Sequence, residues 1–140
     1  MNGVATRPGN HRLSLVARSY RRISILTAEP AKIVAELHQE AITRLLRSLD
    51  LSDREGALPA APGIEIARTL RILGELDLFL DFEQEPQMAR NLMNLYADLR
   101  ERLLPSCRQF DRRAVQETLE TLAILHDGWR AVHRAGGRTA

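Results

Sequence analysis

The chain is poor in aromatic residues and in the side chains that build catalytic or metal sites. Phe, Trp and Tyr make up 4% of its 140 residues. Its core must therefore consist mainly of Leu, Ile, Val and Ala, a composition that favours packed helices over a β-sandwich. Cys107 is the only cysteine, which excludes an internal disulfide and any cysteine-rich metal site. A single thiol is also compatible with a reducing compartment.

Long apolar runs are absent as well. No stretch approaches the roughly 20 apolar residues that span a bilayer, so we expect no stable membrane insertion. The N-terminus lacks the continuous apolar region and cleavage site of a signal peptide. Its arginine-rich, acid-free composition is also that of a transit peptide. However, the segment leads without a break into the first long helix, which favours a part of the folded chain.

Familiar motifs of catalysis are missing too. The sequence contains no P-loop, GxGxxG, HExxH or Glu-x-x-His pattern. His126 and His133 share a helical face, but no second helix offers an inward carboxylate pair to complete a metal site. His38 is interpreted as a boundary residue beside an apolar stripe, and Cys107 has no activating neighbour. We therefore expect a protein that is not an enzyme and that needs no metal or cofactor.

Basic residues are concentrated at the N-terminus. Five arginines within Met1–Ala28 exceed the whole net charge of +2, so the remainder is slightly acidic. Lys32 is the only lysine, and aromatic residues do not alternate with basic ones. Such a charge distribution does not predict a nucleic-acid partner.

Four segments have apolar residues at helical spacing and predict long amphipathic helices. They run from Pro30 to about Leu49, from Ile64 to about Leu80, from Pro86 to near Pro105, and from Asp111 to about His133. Proline suits the first turn of a helix, and Asp111 suits an N-cap. All connections except Asp50–Gly63 are short. The prediction is therefore an all-α, antiparallel four-helix bundle.

A fifth, weaker element precedes the bundle. Leu13, Val16, Tyr20 and Ile23 form one narrow apolar stripe, which predicts an additional short N-terminal helix or cap segment. We predict a flexible basic tail over residues 1–18, a bundle domain over 19–133, and a disordered tail over 134–140 after Gly136-Gly137.

The segment Ile64–Leu80 is apolar over a wider arc than a single neighbouring helix needs. Only four of its residues form a polar strip: Glu65, Arg68, Arg71 and Glu75. The surplus lies towards the acidic turn that follows, around Leu76, Phe79, Leu80 and Phe82. It predicts a partner helix outside the bundle.

The order of these segments resembles a known family. Thr27-Ala28-Glu29-Pro30 is similar to its Thr/Ser-Ala-x-Pro helix entry, and LHQEAI at Leu37–Ile42 to its Leu-Tyr-Asp-Gly-Ala-Ile. FEQEPQMARNLMNLYADLRERL, at Phe82–Leu103, resembles its run of Ile-Ala-x-Asn-Leu, Leu-Tyr-x-Tyr-Met and Arg-Arg-Leu. Leu125–Trp129 resembles Leu-x-Asp-x-Trp, and Tyr20 is placed like its N-terminal tyrosine. The family is FliS, the cytosolic export chaperones for flagellin.

The resemblance extends from about Ser19 to Val132, with three departures. His38-Gln39-Glu40 stands in place of Tyr-Asp-Gly, Glu85-Pro86 in place of Gly-Gly, and Ala97-Asp98-Leu99 matches Tyr-Asp-Tyr-like positions only loosely. The resemblance implies a bacterial cytoplasmic chaperone that binds the disordered C-terminal segment of flagellin. Such a chaperone prevents premature polymerisation of flagellin and hands it to the flagellar type III export apparatus. An export-gate component or a co-chaperone is a further implied partner, and the protein is expected to be a monomer or a homodimer.

The residues expected to bind the client are the apolar ones of the N-terminal stripe, the second helix, the turn and the third helix. They are Tyr20, Ile23, Leu26, Ile66, Leu73, Leu76, Phe79, Leu80, Phe82, Leu92, Tyr96 and Leu99. The alternative is a homodimeric helical adaptor or scaffold without an unfolded client, in which the surplus apolar arc is buried against a second copy.

The N-terminal segment has two open interpretations, a displaceable cap on the client groove or a permanent packing helix over Leu13–Ile25. Deletion of Met1–Arg18 distinguishes them in a binding titration with a flagellin C-terminal peptide. A displaceable cap competes with the client, so its removal should lower the dissociation constant. Unchanged or weaker binding contradicts the cap interpretation.

Overall fold

A computed structural model describes residues 28–139 of the chain except 55, 57 and 84, with side chains described only for residues 32–128 of that range. Its α-helices are α1 (Ala28–Asp53), α2 (Ala61–Leu76), α3 (Pro86–Leu103) and α4 (Arg112–Thr139). Two short 3-10 helices, Asp77–Phe79 and Leu104–Cys107, follow α2 and α3. No strand occurs in the residues described, so the all-α prediction is confirmed. The predicted N-terminal tail and cap segment, with Tyr20, Ile23 and Leu26, lie outside them.

Contacts between α2 and α3 show that these helices are antiparallel. Near the start of α2, Gly63 lies against the Cys107 carbonyl, just beyond the end of α3. Further along α2, the Leu73 carbonyl accepts a hydrogen bond of 3.1 Å from Arg100 Nη1. Residue numbers therefore rise on one helix while they fall on the other.

Helices α1 and α4 are antiparallel by the same criterion. The His38 and His126 rings have centroids 6.3 Å apart, and near the opposite end Asp53 pairs with Arg112. Asp111 Oδ1 accepts the backbone N–H groups of Arg113 and Ala114 at 3.1 and 3.3 Å, which makes it the predicted N-cap. The two antiparallel pairs form the predicted bundle.

Among the side chains that the structure describes, the buried hydrophobic core is aliphatic apart from one tyrosine. Its buried hydrophobic residues are Val34, Ala41, Leu45, Ile66, Ile72, Leu73, Leu76, Ala89, Leu92, Tyr96, Leu99, Leu103, Val115, Leu122 and Leu125. Most of the predicted stripes are thus confirmed, but Ile33 and Leu46 are 37% and 52% exposed. His38 is fully buried, so its interpretation as a boundary residue was wrong. Its ring fits inside because Tyr96 supplies a hydrogen-bond partner.

Four helix boundaries differ clearly from the sequence prediction. The loop after α1 is shorter, because α1 continues to Asp53 and α2 begins at Ala61, with a proline in its first turn. Helix α2 ends at Leu76 and tightens into the 3-10 helix Asp77–Phe79. Helix α4 runs through Gly136-Gly137 to Thr139, because two glycines cost a helix only about 1 kcal/mol each.

Glu65 connects α1 to α2. The sequence places it in an exposed polar strip, but it is only 4% exposed. Its Oε1 accepts a hydrogen bond from Arg44 Nη1 at 3.2 Å, and its Oε2 one from Arg68 Nη1 at 3.3 Å. Arg47 Nε lies 3.5 Å from the same Oε2. Burial of this carboxylate is tolerated because guanidinium groups surround it.

Gly63 allows the 3-10 helix Leu104–Cys107 to pack directly on α2. A Cβ at this position would lie 2.3 Å from the Cys107 carbonyl oxygen. A contact that short with backbone cannot be relieved by a side-chain rotation. The close approach of α2 to the end of α3 therefore requires glycine.

We expect Gly63→Ala to lower the free energy of unfolding by about 2 kcal/mol, because Leu104–Cys107 must move away from α2. Gly74→Ala is the matched control, since a Cβ there meets no atom within 4 Å. Alanine's higher helix propensity should make that variant more stable by up to about 1 kcal/mol. Urea denaturation measures both variants, and a Gly63→Ala protein as stable as Gly74→Ala contradicts the close-approach argument.

Candidate functional site

Six of the predicted client-binding residues lie in the bundle core. Ile66, Leu73, Leu76, Leu92, Tyr96 and Leu99 are at most 4% exposed. They hold the helices together, and a partner can contact them only where the helices separate. Binding at these six positions stays a prediction. In the structure these residues are part of the buried core.

The remaining described candidates lie together at the turn between α2 and α3. Phe79 and Leu80 are half-buried and pack against the core, and Phe82 is 43% exposed. Leu78 is 81% exposed and was missing from the predicted set. Helical periodicity could have identified it, because continuation of α2 places Leu78 opposite the core face. We call Leu78, Phe79, Leu80 and Phe82 the turn surface.

The turn surface has a well-defined backbone. The Leu80 N–H donates to the Asp77 carbonyl at 3.3 Å, which closes the 3-10 helix. Asp81 Oδ1 accepts the Glu83 N–H at 3.0 Å, and the Asp81 carbonyl accepts the Glu85 N–H at 3.2 Å. Local hydrogen bonds of this type hold a turn in one conformation without help from a partner.

Arg100 fastens the turn to the body of the bundle. One of its nitrogens, Nη1, donates to the Leu73 carbonyl and to Asp77 Oδ2, both at 3.1 Å. It thereby connects the third helix to the end of the second and to the 3-10 helix that carries Leu78. The apolar side chains of the turn surface are thus presented from a supported position.

The core contains a buried polar contact between His38 and Tyr96. His38 Nε2 is 2.8 Å from the Tyr96 hydroxyl, and the His38 and Tyr96 rings have centroids 6.3 Å apart. The tautomer of His38 decides which group donates. Burial, together with nearby His126, lowers the pKa of His38 from 6.5 to about 3. The imidazole is therefore neutral at physiological pH, and it connects α1 to α3 through its contact with Tyr96.

The described residues were compared with the requirements of a metal site, a reactive thiol and a membrane-spanning helix. No three side chains of His, Cys, Asp or Glu among these residues could hold a metal ion together. Partial burial raises the pKa of the Cys107 thiol, which lowers the fraction present as reactive thiolate. None of the helices described is both long and apolar enough to cross a membrane.

Comparison with known proteins identifies a family. The chain matches the family model for the flagellar protein FliS over residues 13–136. It is 28% identical over 119 residues to the flagellar secretion chaperone FliSB of Pseudomonas aeruginosa, across 82% of this chain and 93% of that relative. No solved structure matches the chain.

The low pKa of His38 predicts acid sensitivity. The unfolded chain binds a proton on this residue at pH values where the folded chain does not. The contribution of His38 to stability is therefore complete above about pH 6.5 and is lost as the pH falls towards 3. Between pH 7.5 and pH 5 the loss should be about 2 kcal/mol.

His38→Phe removes the titrating group and is the test of this assignment. The variant should be less stable at pH 7.5, because the Tyr96 hydroxyl loses its histidine partner. However, it should lose about 2 kcal/mol less than the parent between pH 7.5 and pH 5. Urea denaturation at both pH values measures the difference. Equal losses in the two proteins contradict the pH dependence assigned to His38.

Proposed function

The chain belongs to the FliS family, and from that premise we propose how this flagellar secretion chaperone works. It binds the disordered C-terminal segment of flagellin in the bacterial cytoplasm, prevents premature polymerisation and passes the segment to the flagellar type III export apparatus. The family match over residues 13–136 carries the proposal, because it spans nearly the whole chain. The role requires binding alone and no catalysis.

The turn surface supports an apolar client. Leu78 and Phe82 are large side chains that remain exposed, and burial of a Leu or Phe contributes about 1.5–3 kcal/mol. A disordered segment that folds on binding loses about 2–5 kcal/mol in ordering. Several such contacts are thus needed for a stable complex. The turn surface supplies the first anchors, and the client extends from it along the bundle.

The supported backbone of the turn adds to affinity. Arg100 and the hydrogen bonds around Asp81 support the backbone that carries Leu78 and Phe82, and we propose that they order the turn before a client arrives. Only the client therefore loses conformational entropy at this point of the interface. A mobile turn would add its own ordering cost to that of the disordered segment.

The proposal is tested by titration of the full chain with a peptide of the flagellin C-terminal segment. Calorimetry measures affinity, circular dichroism measures helicity, and Trp129, the single tryptophan, reports by fluorescence. We expect saturable binding with a gain of helix. Absence of binding, together with a mass that rises with protein concentration, favours the homodimeric adaptor instead.

Leu78→Ser combined with Phe82→Ser should weaken peptide binding about tenfold or more, since the client loses two apolar contacts. Stability should change little because both side chains are exposed. Leu104→Ser is the matched control, an exposed leucine (61%) beyond the end of α3, and its affinity should equal that of the parent. Equal affinities in all three proteins would show that the client does not use the turn surface.

A further inference from the structure

The arginines around Glu65 carry more hydrogen-bonding capacity and positive charge than the bundle uses. A carboxylate has about four acceptor positions, whereas each guanidinium has about five N–H donors. Arg44, Arg47 and Arg68 all contact the single Glu65 carboxylate. Glu40 lies 3.6 Å from Arg44 Nη2, and among the residues that the structure describes it is the other carboxylate paired with the group. Within that part of the chain, three positive charges thus meet two negative ones.

The unused capacity belongs to Arg47 and Arg68. Both contact the same oxygen, Glu65 Oε2, at 3.5 and 3.3 Å, so the two guanidinium groups are held close together across the α1–α2 seam. Their side chains are 64% and 55% exposed, whereas Glu65 lies beneath them at 6%. Two adjacent, partly fixed guanidiniums form a fork that suits a second carboxylate from outside.

Two exposed apolar side chains lie near the start of α2, the helix that carries Arg68. Ile64 is 53% exposed and lies one helical turn before Arg68 on α2. Leu58 is 76% exposed in the turn that leads into α2, where its carbonyl accepts the Ala61 N–H at 3.0 Å. A free phosphate would make no use of these side chains. A helical segment with acidic and apolar residues on one face would use both.

We propose that Arg47, Arg68 and Ile64 form a docking site, the α1–α2 clamp, for an acidic amphipathic segment of a partner protein. Carboxylates of that segment pair with Arg47 and Arg68, while its apolar residues cover Ile64. Ile64 and Arg68 of the clamp lie in the first half of α2, whereas the turn surface follows the end of α2. Ile64 and Leu78 are fourteen residues apart, which corresponds to about 20 Å along a helix. A partner can therefore occupy the clamp while a client occupies the turn surface.

A second copy of the chain is the competing occupant. Glu75 and Glu83 are exposed near Leu78, so the turn end of the bundle is itself acidic and apolar. A clamp that bound the turn of another copy would join molecules head to tail. Such a contact forms open chains or rings, unless two of them form reciprocally and close a two-fold dimer. Self-association of this kind is recognised by its dependence on protein concentration.

The test uses the full chain and no flagellin. The probe is a synthetic helical peptide with glutamates and leucines on one face, and the matched probe has lysines in place of the glutamates. Calorimetry should detect the acidic probe alone, with affinity that falls as salt rises. Arg47→Gln combined with Arg68→Gln should weaken that binding about tenfold or more, because two charge-assisted contacts are lost.

Two further variants separate docking from a loss of folding. Arg113→Gln removes an exposed guanidinium (88%) that pairs with Glu117 on α4, and it should bind the acidic probe like the parent. Glu65→Gln removes the internal carboxylate that competes for the clamp. It should lower stability and yet bind the acidic probe more tightly, a combination that a purely structural cluster does not produce.

Three results overturn the proposal. The first is equal affinity of the parent and the Arg47→Gln, Arg68→Gln double variant for the acidic probe. The second is equal affinity of the parent for the acidic probe and the lysine probe. The third is self-association of the parent that the double variant abolishes. The last result assigns the clamp to a second copy. The first two results do not bear on the flagellin titration, and self-association counts against the chaperone function only where flagellin binding is also absent, so the clamp and the proposed chaperone function can fail independently.

Discussion

The contact between His38 and Tyr96 constrains how the helices of this bundle meet. The two residues come from α1 and α3, lie 2.8 Å apart at their polar atoms and are fully buried. His126 of α4 approaches the same imidazole. A buried polar pair is satisfied only in one relative position of its helices, whereas aliphatic side chains tolerate small shifts. Among the side chains described, Tyr96 is the single aromatic residue of the buried hydrophobic core, and its pairing with His38 therefore limits both the register and the separation of α1 and α3.

Helix α2 is held from both sides by contacts that differ in kind. On one side Glu65 draws arginines of α1 towards it, and on the other Gly63 allows the Leu104–Cys107 backbone to pack against it. Arg100 adds a third contact at the end of the helix, where it meets the Leu73 carbonyl and Asp77. These contacts leave the two ends of α2 with different surfaces. The first end is basic with exposed Ile64, and the last leads to an acidic turn with exposed Leu78 and Phe82.

This division suits the proposed function, in which the protein holds an unfolded client and is also recognised by a second partner. A disordered segment gains helix only where apolar anchors are already ordered, and the fastened turn meets that requirement. The proposed α1–α2 clamp offers electrostatic recognition at a distance from those anchors. Surfaces of these two kinds allow client binding and partner binding to respond differently to salt and to mutation.

Much of the fold could be predicted from the local sequence. Proline at helix starts, Asp111 at an N-cap and apolar residues at helical spacing are signals that act within a few residues. They correctly predicted the four helices and most of the core. The family resemblance was likewise readable, since it depends on the order of residues such as Asn91, Leu92 and Tyr96.

The candidate site was harder to predict because periodicity says which face is apolar but not how much of it the neighbours cover. Ile66 and Leu73 have the same pattern as residues that bind partners, yet the other helices bury them completely. Leu78 lies just beyond α2, on the side opposite the core face, and remains exposed. The local sequence suggests a boundary position for His38 and an exposed one for Glu65. Their hydrogen-bond partners, Tyr96 and Arg44, are 58 and 21 positions away in the sequence. The sequence by itself determined the helices, their order and the family, because those depend on neighbours along the chain. Only the tertiary structure decided which apolar side chains stay exposed and which polar ones are buried, because burial depends on partners that are distant in sequence.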